Sequence, residues 1–201
     1  MPGHPVRKRI RLAGFDYAFP GAYFITVCTH QRAGLFGEII DGAMRLNAFG
    51  TVAQASWMEI PRHFPLAESD ALVLMPNHLH AIVDLHGRGT ACRAPTTEGF
   101  GHPVPGSVVT IIRSAKAASS RRINLLRGTP GAPVWQRGYF EHVIRSPLEF
   151  DRLRAYIETN PLRWELDREN PENTKGHGIT VPLRFSAQSR RPRGLKPRPS
   201  G

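Results

Sequence analysis

Asn77-His78-Leu79-His80 lies between the apolar runs Ala71-Leu72-Val73-Leu74-Met75-Pro76 and Ala81-Ile82-Val83. Valine, isoleucine and leucine dominate this stretch, which is the composition of a strand. Successive side chains on a strand point to opposite faces, so His78 and His80 share a face and Leu79 turns into the core. Two imidazoles one pleat apart on a rigid strand can hold a divalent cation at two adjacent positions. The remaining positions can accept a third ligand and a substrate oxygen, as a catalytic metal requires. A hydrogen-bonded pair of structural histidines is the competing reading of the same pattern.

A second pair of chemically able residues follows Pro147. Phe150, Leu153 and Ile157 recur at helical spacing and predict a core-facing stripe. Tyr156 and Asn160 are four residues apart, hence neighbours on a helix surface, and lie at the edge of that stripe. A phenol can act as a nucleophile, and a carboxamide oxygen can ligate a hard cation. The plainer readings are a tyrosine at the core edge and an asparagine that ends the helix before Pro161.

The elements that must position these residues can be traced along the chain. Tyr23–Thr29 is aromatic and β-branched and predicts a first strand. Asn47 can cap a helix that runs to about Ile60, where Pro61 would stop it. Ala71–Met75 and Leu79–Leu85 predict a hairpin turning at Pro76-Asn77-His78. Ser107 can cap a long helix to about Arg127, before Gly128 and Pro130. Tyr139–Ser146 predicts a fourth strand. The order strand, helix, strand, strand, helix, strand, helix fits an α+β class: a ferredoxin-like split βαβ antiparallel sheet with helices on one face, plus an added C-terminal helix that carries Tyr156. The second hairpin strand, with its two histidines, would then be central.

Charge and composition bound the partners. The 201 residues include 27 basic and 16 acidic ones, for a net charge of +11. Arg7, Lys8, Arg9 and Arg11 at one end, and Arg184, Arg190, Arg191, Arg193, Lys196 and Arg198 at the other, stand in acid-free segments. Removing those ten from the 27 leaves 17 basic residues against the 16 acidic ones, a nearly neutral body. Basic tails suit a polyanion, because each cation that meets a phosphate releases a counterion. Residues 1–14 therefore read as a basic tail, 15–172 as one domain with a Gly- and Pro-rich loop over 86–106, and 173–201 as a basic, disordered tail. No apolar run is long enough to span a membrane and no signal region follows the first arginines, so a cytoplasmic protein is expected, and its basic ends fit association with the nucleoid. Cys28 and Cys92 make neither a disulfide framework nor a four-cysteine zinc site.

Within the body, Arg113, Lys116, Asn124 and Arg127 fall in one stripe of the long helix and could meet phosphates. Arg137, His142 and Arg145 surround the fourth strand and are further candidates. Tyr139 is a rival nucleophile, though it lacks a polar partner four residues on. Trp135 could stack a base, with core packing as the alternative.

Leu74-Met75-Pro76-Asn77-His78-Leu79-His80, then Trp135-Gln136-Arg137-Gly138-Tyr139 with Glu141-His142, then Tyr156-Ile157-Glu158-Thr159-Asn160-Pro161 together resemble the REP-associated tyrosine transposases. These are relatives of the single-tyrosine transposases named for a His-hydrophobic-His motif. The resemblance covers roughly residues 17–165. It implies Mg²⁺ or Mn²⁺ on His78 and His80, Asn160 completing the metal site, and Tyr156 as the nucleophile. It also implies cleavage and rejoining of single-stranded DNA through a 5′-phosphotyrosine, on hairpin-forming repeat DNA, by a monomer or homodimer. Two alternatives remain: a catalytically inactive hairpin-DNA-binding protein of the same fold, and a histidine-metal phosphohydrolase with water as nucleophile. The hydrolases that use three alternating histidines would need a third at position 82, where Ile82 stands.

Overall fold

A computed structural model of the chain describes residues 17–87, 104–167, 170, 171 and 173. The expected N-terminal tail, most of the 86–106 loop and the C-terminal tail beyond Asn173 lie outside the described residues. Four strands form the main sheet: β1 (Gly21–Cys28), β4 (Ala67–Leu74), β5 (His78–Leu85) and β6 (Phe140–Val143). Their spatial order is β4-β5-β1-β6, and every pairing is antiparallel. This is the ferredoxin-like order expected from the sequence, with β5 paired on both sides.

Side-chain alternation divides β5 between two cores. Leu79, Ala81, Val83 and Leu85 join Ile25 and Val27 of β1 under the two long helices, α1 (Ala48–Met58) and α3 (Val108–Leu126). His78, His80 and Ile82 face the other side. There Ile82 packs with Phe24, Leu153 and Ile157, the last two from α4 (Pro147–Glu158). Burying an aliphatic side chain of this size stabilises the fold by roughly 1.5–3 kcal/mol, so Leu153 and Ile157 help to seat α4 on the sheet. The sheet is thus covered on both faces, with the added helix and the chain just after it on the histidine side.

Caps fix where the helices begin. Asn47 Oδ1 accepts from the amides of Phe49 and Gly50, and Ser107 Oγ accepts from Thr110. Ser146 Oγ accepts from the amide of Glu149 at the start of α4. Glu149 in turn accepts from the Arg145 amide at 2.8 Å and bonds His142 Nε2 at 2.8 Å, which ties α4 to β6. Partial burial alone would raise the Glu149 carboxyl, but these two partners outweigh it and hold the group below its ordinary value.

Three details differ from the sequence reading. Pro61 does not end the helical path: it sits in the first turn of a short helix α2 (Ile60–His63), where its missing N–H is no loss. The first hairpin strand starts at Ala67, four residues earlier than expected, with a bulge between Ser69 and Leu72. A further two-stranded hairpin, β2 (Gly37–Ile40) with β3 (Ala43–Leu46), stands between β1 and α1. Its turn is Asp41-Gly42 with φ of 51° and 69°, the left-handed pair that a tight hairpin demands.

Gly50 shows how closely this hairpin region meets α1. A Cβ there would lie 2.2 Å from the Phe36 carbonyl oxygen. In an open helix Gly→Ala stabilises by up to about 1 kcal/mol. Here Gly50→Ala should destabilise by about 1–3 kcal/mol through overpacking. Urea unfolding with an unchanged or higher midpoint would contradict this packing.

Candidate metal centre and nucleophile

His78 and His80 project side by side from β5, with ring centroids 4.6 Å apart. They are 0% and 4% exposed. Each uses Nδ1 for a neighbour: His78 Nδ1 lies 2.9 Å from Asn77 Oδ1, and His80 Nδ1 lies 2.9 Å from Thr26 Oγ1. Their Nε2 atoms turn the other way. His78 Nε2 is buried without a hydrogen bond among the described residues. A buried orphan of this kind costs about 1–3 kcal/mol, unless a ligand completes it.

The chain returns to this spot after α4. Asn160 and Pro161 lead into a 3₁₀ turn over Pro161–Leu166, which places the Trp164 ring 6.0 Å from that of His78. The next residue, Asp167, brings Oδ2 to 3.9 Å from His78 Nε2, and its side chain is 6% exposed. Ligand atoms of His78, His80 and Asp167 lie within 4.8 Å of one another. Two neutral imidazoles and one carboxylate form a set with one negative charge, and this group could hold a divalent cation. Asn160 is 1% exposed; its Nδ2 donates to Asp167 Oδ2 at 3.4 Å, and its Oδ1 is buried without a hydrogen bond among the described residues.

Tyr156 reaches the same cluster from α4. Its hydroxyl lies 3.4 Å from His80 Nε2, with ring centroids 5.2 Å apart. Phe24 stacks on His80 from below at 5.4 Å and meets the Tyr156 ring at 6.1 Å, so the sheet and the helix are joined around the imidazole. Tyr139, the rival, packs against the opposite core under α1 and α3. Trp135 is buried in that same core and donates Nε1 to Ser119 Oγ.

Burial sets the protonation of the histidines. It pushes His78 down to about 4, with the Asp167 carboxylate pulling the other way, and drives His80 well below its ordinary value. Both are neutral at pH 7, the form that ligates a metal.

The candidate nucleic-acid contacts separate into two groups. Lys116 Nζ donates to the carbonyls of Gln136 at 2.8 Å and Gly138 at 2.7 Å, and burial lowers it to about 8. Asn124 and Arg127 bond each other and the Ala132 carbonyl, bracing the loop after α3. These three donors serve the fold, and His142 is engaged by Glu149. Arg113, Arg137 and Arg145 are exposed. Arg122 ties α3 to α1 through Ser56 and Glu59.

An uncharacterized protein of Haemophilus influenzae is 33% identical to this chain over 171 residues, 81% of the chain and 92% of that protein. The chain belongs to the family of that protein. No protein-family model matches it. Among solved structures it is similar to a REP-associated tyrosine transposase bound to a REP hairpin, at 21% identity and a TM-score of 0.46 over 72% of this chain and 68% of that one. A candidate transposase of Deinococcus radiodurans R1 is similar at 18% identity and a TM-score of 0.41, over 74% and 96% of the two chains. Among the described residues no helix is long and apolar enough to cross a membrane.

Histidines held neutral make the apo fold acid-sensitive in a defined window. Their folded-state pKa values lie below the unfolded value near 6.5, so the unfolded chain binds more protons. Stability should be full above about pH 6.5 and should fall as pH drops from there toward 4, by up to about 1.4 kcal/mol per pH unit for each histidine. Urea unfolding of metal-free protein against a His78→Leu/His80→Leu variant checks this. An equal pH slope in both would contradict it.

Proposed function

We propose that this protein cleaves and rejoins single-stranded DNA through Tyr156, with a divalent metal held by His78, His80 and a third oxygen ligand. The observation that carries the reading is the meeting of the Tyr156 hydroxyl with His80 Nε2, 3.4 Å away, in a cluster that can hold a cation. The order of the three sequence motifs supports it. Asp167 is the favoured third ligand, since its carboxylate is charged and close to His78, while Asn160 supports it by hydrogen bond or supplies its own orphaned Oδ1. Two imidazoles with one carboxylate suit Mn²⁺ better than Mg²⁺, which prefers all-oxygen octahedra.

A bound cation would offset phosphate charge and polarise the phosphorus. The chain's own residues do the rest. A phenol titrates near pH 10, so Tyr156 attacks best where positive charge lies close to its oxygen. The Oη–P bond forms as P–O3′ breaks, the phenol proton leaves to water, and the departing 3′ oxygen takes a proton. The products are a 5′-phosphotyrosine and a free 3′-hydroxyl. The phosphoester is retained, so another 3′-hydroxyl can attack it and restore a continuous strand.

The substrate class is a DNA hairpin with a single-stranded flank. A phosphate inside a duplex could not descend to a site seated on a sheet face beneath α4. Exposed Arg113, Arg137 and Arg145 are candidate phosphate contacts, and the basic tails add long-range attraction.

Incubation with Mn²⁺ and a labelled hairpin oligonucleotide, followed by a denaturing gel, tests the chemistry. A covalent adduct is expected, absent in Tyr156→Phe and in His78→Ala. Cleavage without an adduct would instead indicate a hydrolase, and a mobility shift without cleavage would indicate a binder. For the third ligand, Asp167→Ala should weaken Mn²⁺ binding more than about tenfold, and more than Asn160→Ala does. Titration followed by Mn²⁺ electron paramagnetic resonance reads this, and the reverse ranking would assign the ligand to Asn160.

A further inference from the structure

We infer that Asn77 is a positioning residue that fixes the tautomer of His78, so that the lone pair of Nε2 faces the metal site; this rests on the metal-site reading above. The residue is 1% exposed and stands one position before the histidine it serves. Its side chain bridges two groups. Nδ2 donates to the Arg32 carbonyl at 3.3 Å, and Oδ1 lies 2.9 Å from His78 Nδ1.

The Arg32 carbonyl can only accept, so it dictates which end of the amide faces it. The NH₂ end must point to Arg32, and the oxygen end is left for His78. An amide oxygen can only accept as well, so His78 Nδ1 must carry the proton. A neutral imidazole has one N–H, so Nε2 is then unprotonated. That nitrogen is the buried atom without a hydrogen bond among the described residues, and it faces Asp167. The reverse tautomer would aim a proton into the site and leave two acceptors, Asn77 Oδ1 and His78 Nδ1, against each other.

The turn supplying the Arg32 carbonyl is itself strained. Gln31 and Arg32 both have φ of 55°, a left-handed conformation that costs non-glycine residues roughly 1–2 kcal/mol each. Asn77 is held from its backbone too: its carbonyl accepts from the Thr29 amide at 2.8 Å and from Thr29 Oγ1 at 3.0 Å. Those backbone bonds survive any side-chain replacement, which separates the positioning role from a role in the turn. Thr26 beside His80 does not fix a tautomer in this way, because a hydroxyl both donates and accepts.

Long-range ¹H–¹⁵N correlation spectra of the metal-free wild-type protein near pH 7.5 read the tautomer directly. The expected pattern for His78 is Nδ1–H with an unprotonated Nε2, and a spectrum showing Nε2–H overturns the inference without any variant. Asn77→Asp loses the donor to the Arg32 carbonyl but keeps an acceptor for His78 Nδ1–H, and should keep the tautomer. Asn77→Ala should admit the Nε2–H form and weaken Mn²⁺ binding about 10–100-fold. A folded Asn77→Ala protein with wild-type tautomer and affinity would also overturn it. The spectra involve no DNA, so failure of strand cleavage would leave this result standing, and failure here would leave the nucleophile test intact.

Discussion

The structure depends on keeping two neutral imidazoles dry and adjacent on a strand that cannot move. β5 is paired on both sides and buried along nearly its whole length. Its odd-numbered residues anchor it in the α1/α3 core, so the histidine face cannot slip by one residue without turning Leu79, Ala81 and Val83 out of that core. The register that stabilises the sheet is therefore the register that places both histidines. Neutrality follows from the same burial, and with it the capacity to bind a cation at pH 7.

Around this fixed pair the remaining chemical groups are brought in by other elements. α4 is held at its start by the Ser146 cap and by Glu149 on β6, and along its length by Leu153 and Ile157. Tyr156 is delivered one residue before the last of these anchors, half-buried rather than buried. Beyond the helix, Asn170 and Asn173 side-chain amides bond the carbonyls of Trp164, Glu165 and Asp167, which holds the returning turn in shape. The β2–β3 hairpin meets that turn from outside: a Cβ at Gly42 would lie 2.7 Å from Leu162. A hairpin far from the site in sequence thus supports the carboxylate within it.

Much of this was legible from residues alone. The period-two pattern fixed the shared face of His78 and His80, and the spacing of Phe150, Leu153 and Ile157 put Tyr156 at the edge of a core stripe. What escaped reading was tertiary or locally overlooked. Asp167 lies past a proline, in a segment without periodicity, and only the folded 3₁₀ turn brings it to His78. The β2–β3 hairpin did carry a signal, Asp41-Gly42 between Ile39-Ile40 and Ala43, which the turn chemistry alone could have identified. Lys116, Asn124 and Arg127 share one stripe, and a helical wheel cannot show that the following loop bends back to bond them.

The account is tested most directly by anomalous diffraction from crystals loaded with Mn²⁺. It predicts one strong peak within roughly 2.0–2.3 Å of both His78 Nε2 and His80 Nε2, with a carboxylate oxygen of Asp167 in the same shell and the Tyr156 oxygen on the open side. A peak bound elsewhere, or a cation on these imidazoles with Tyr156 turned away from it, would contradict the account.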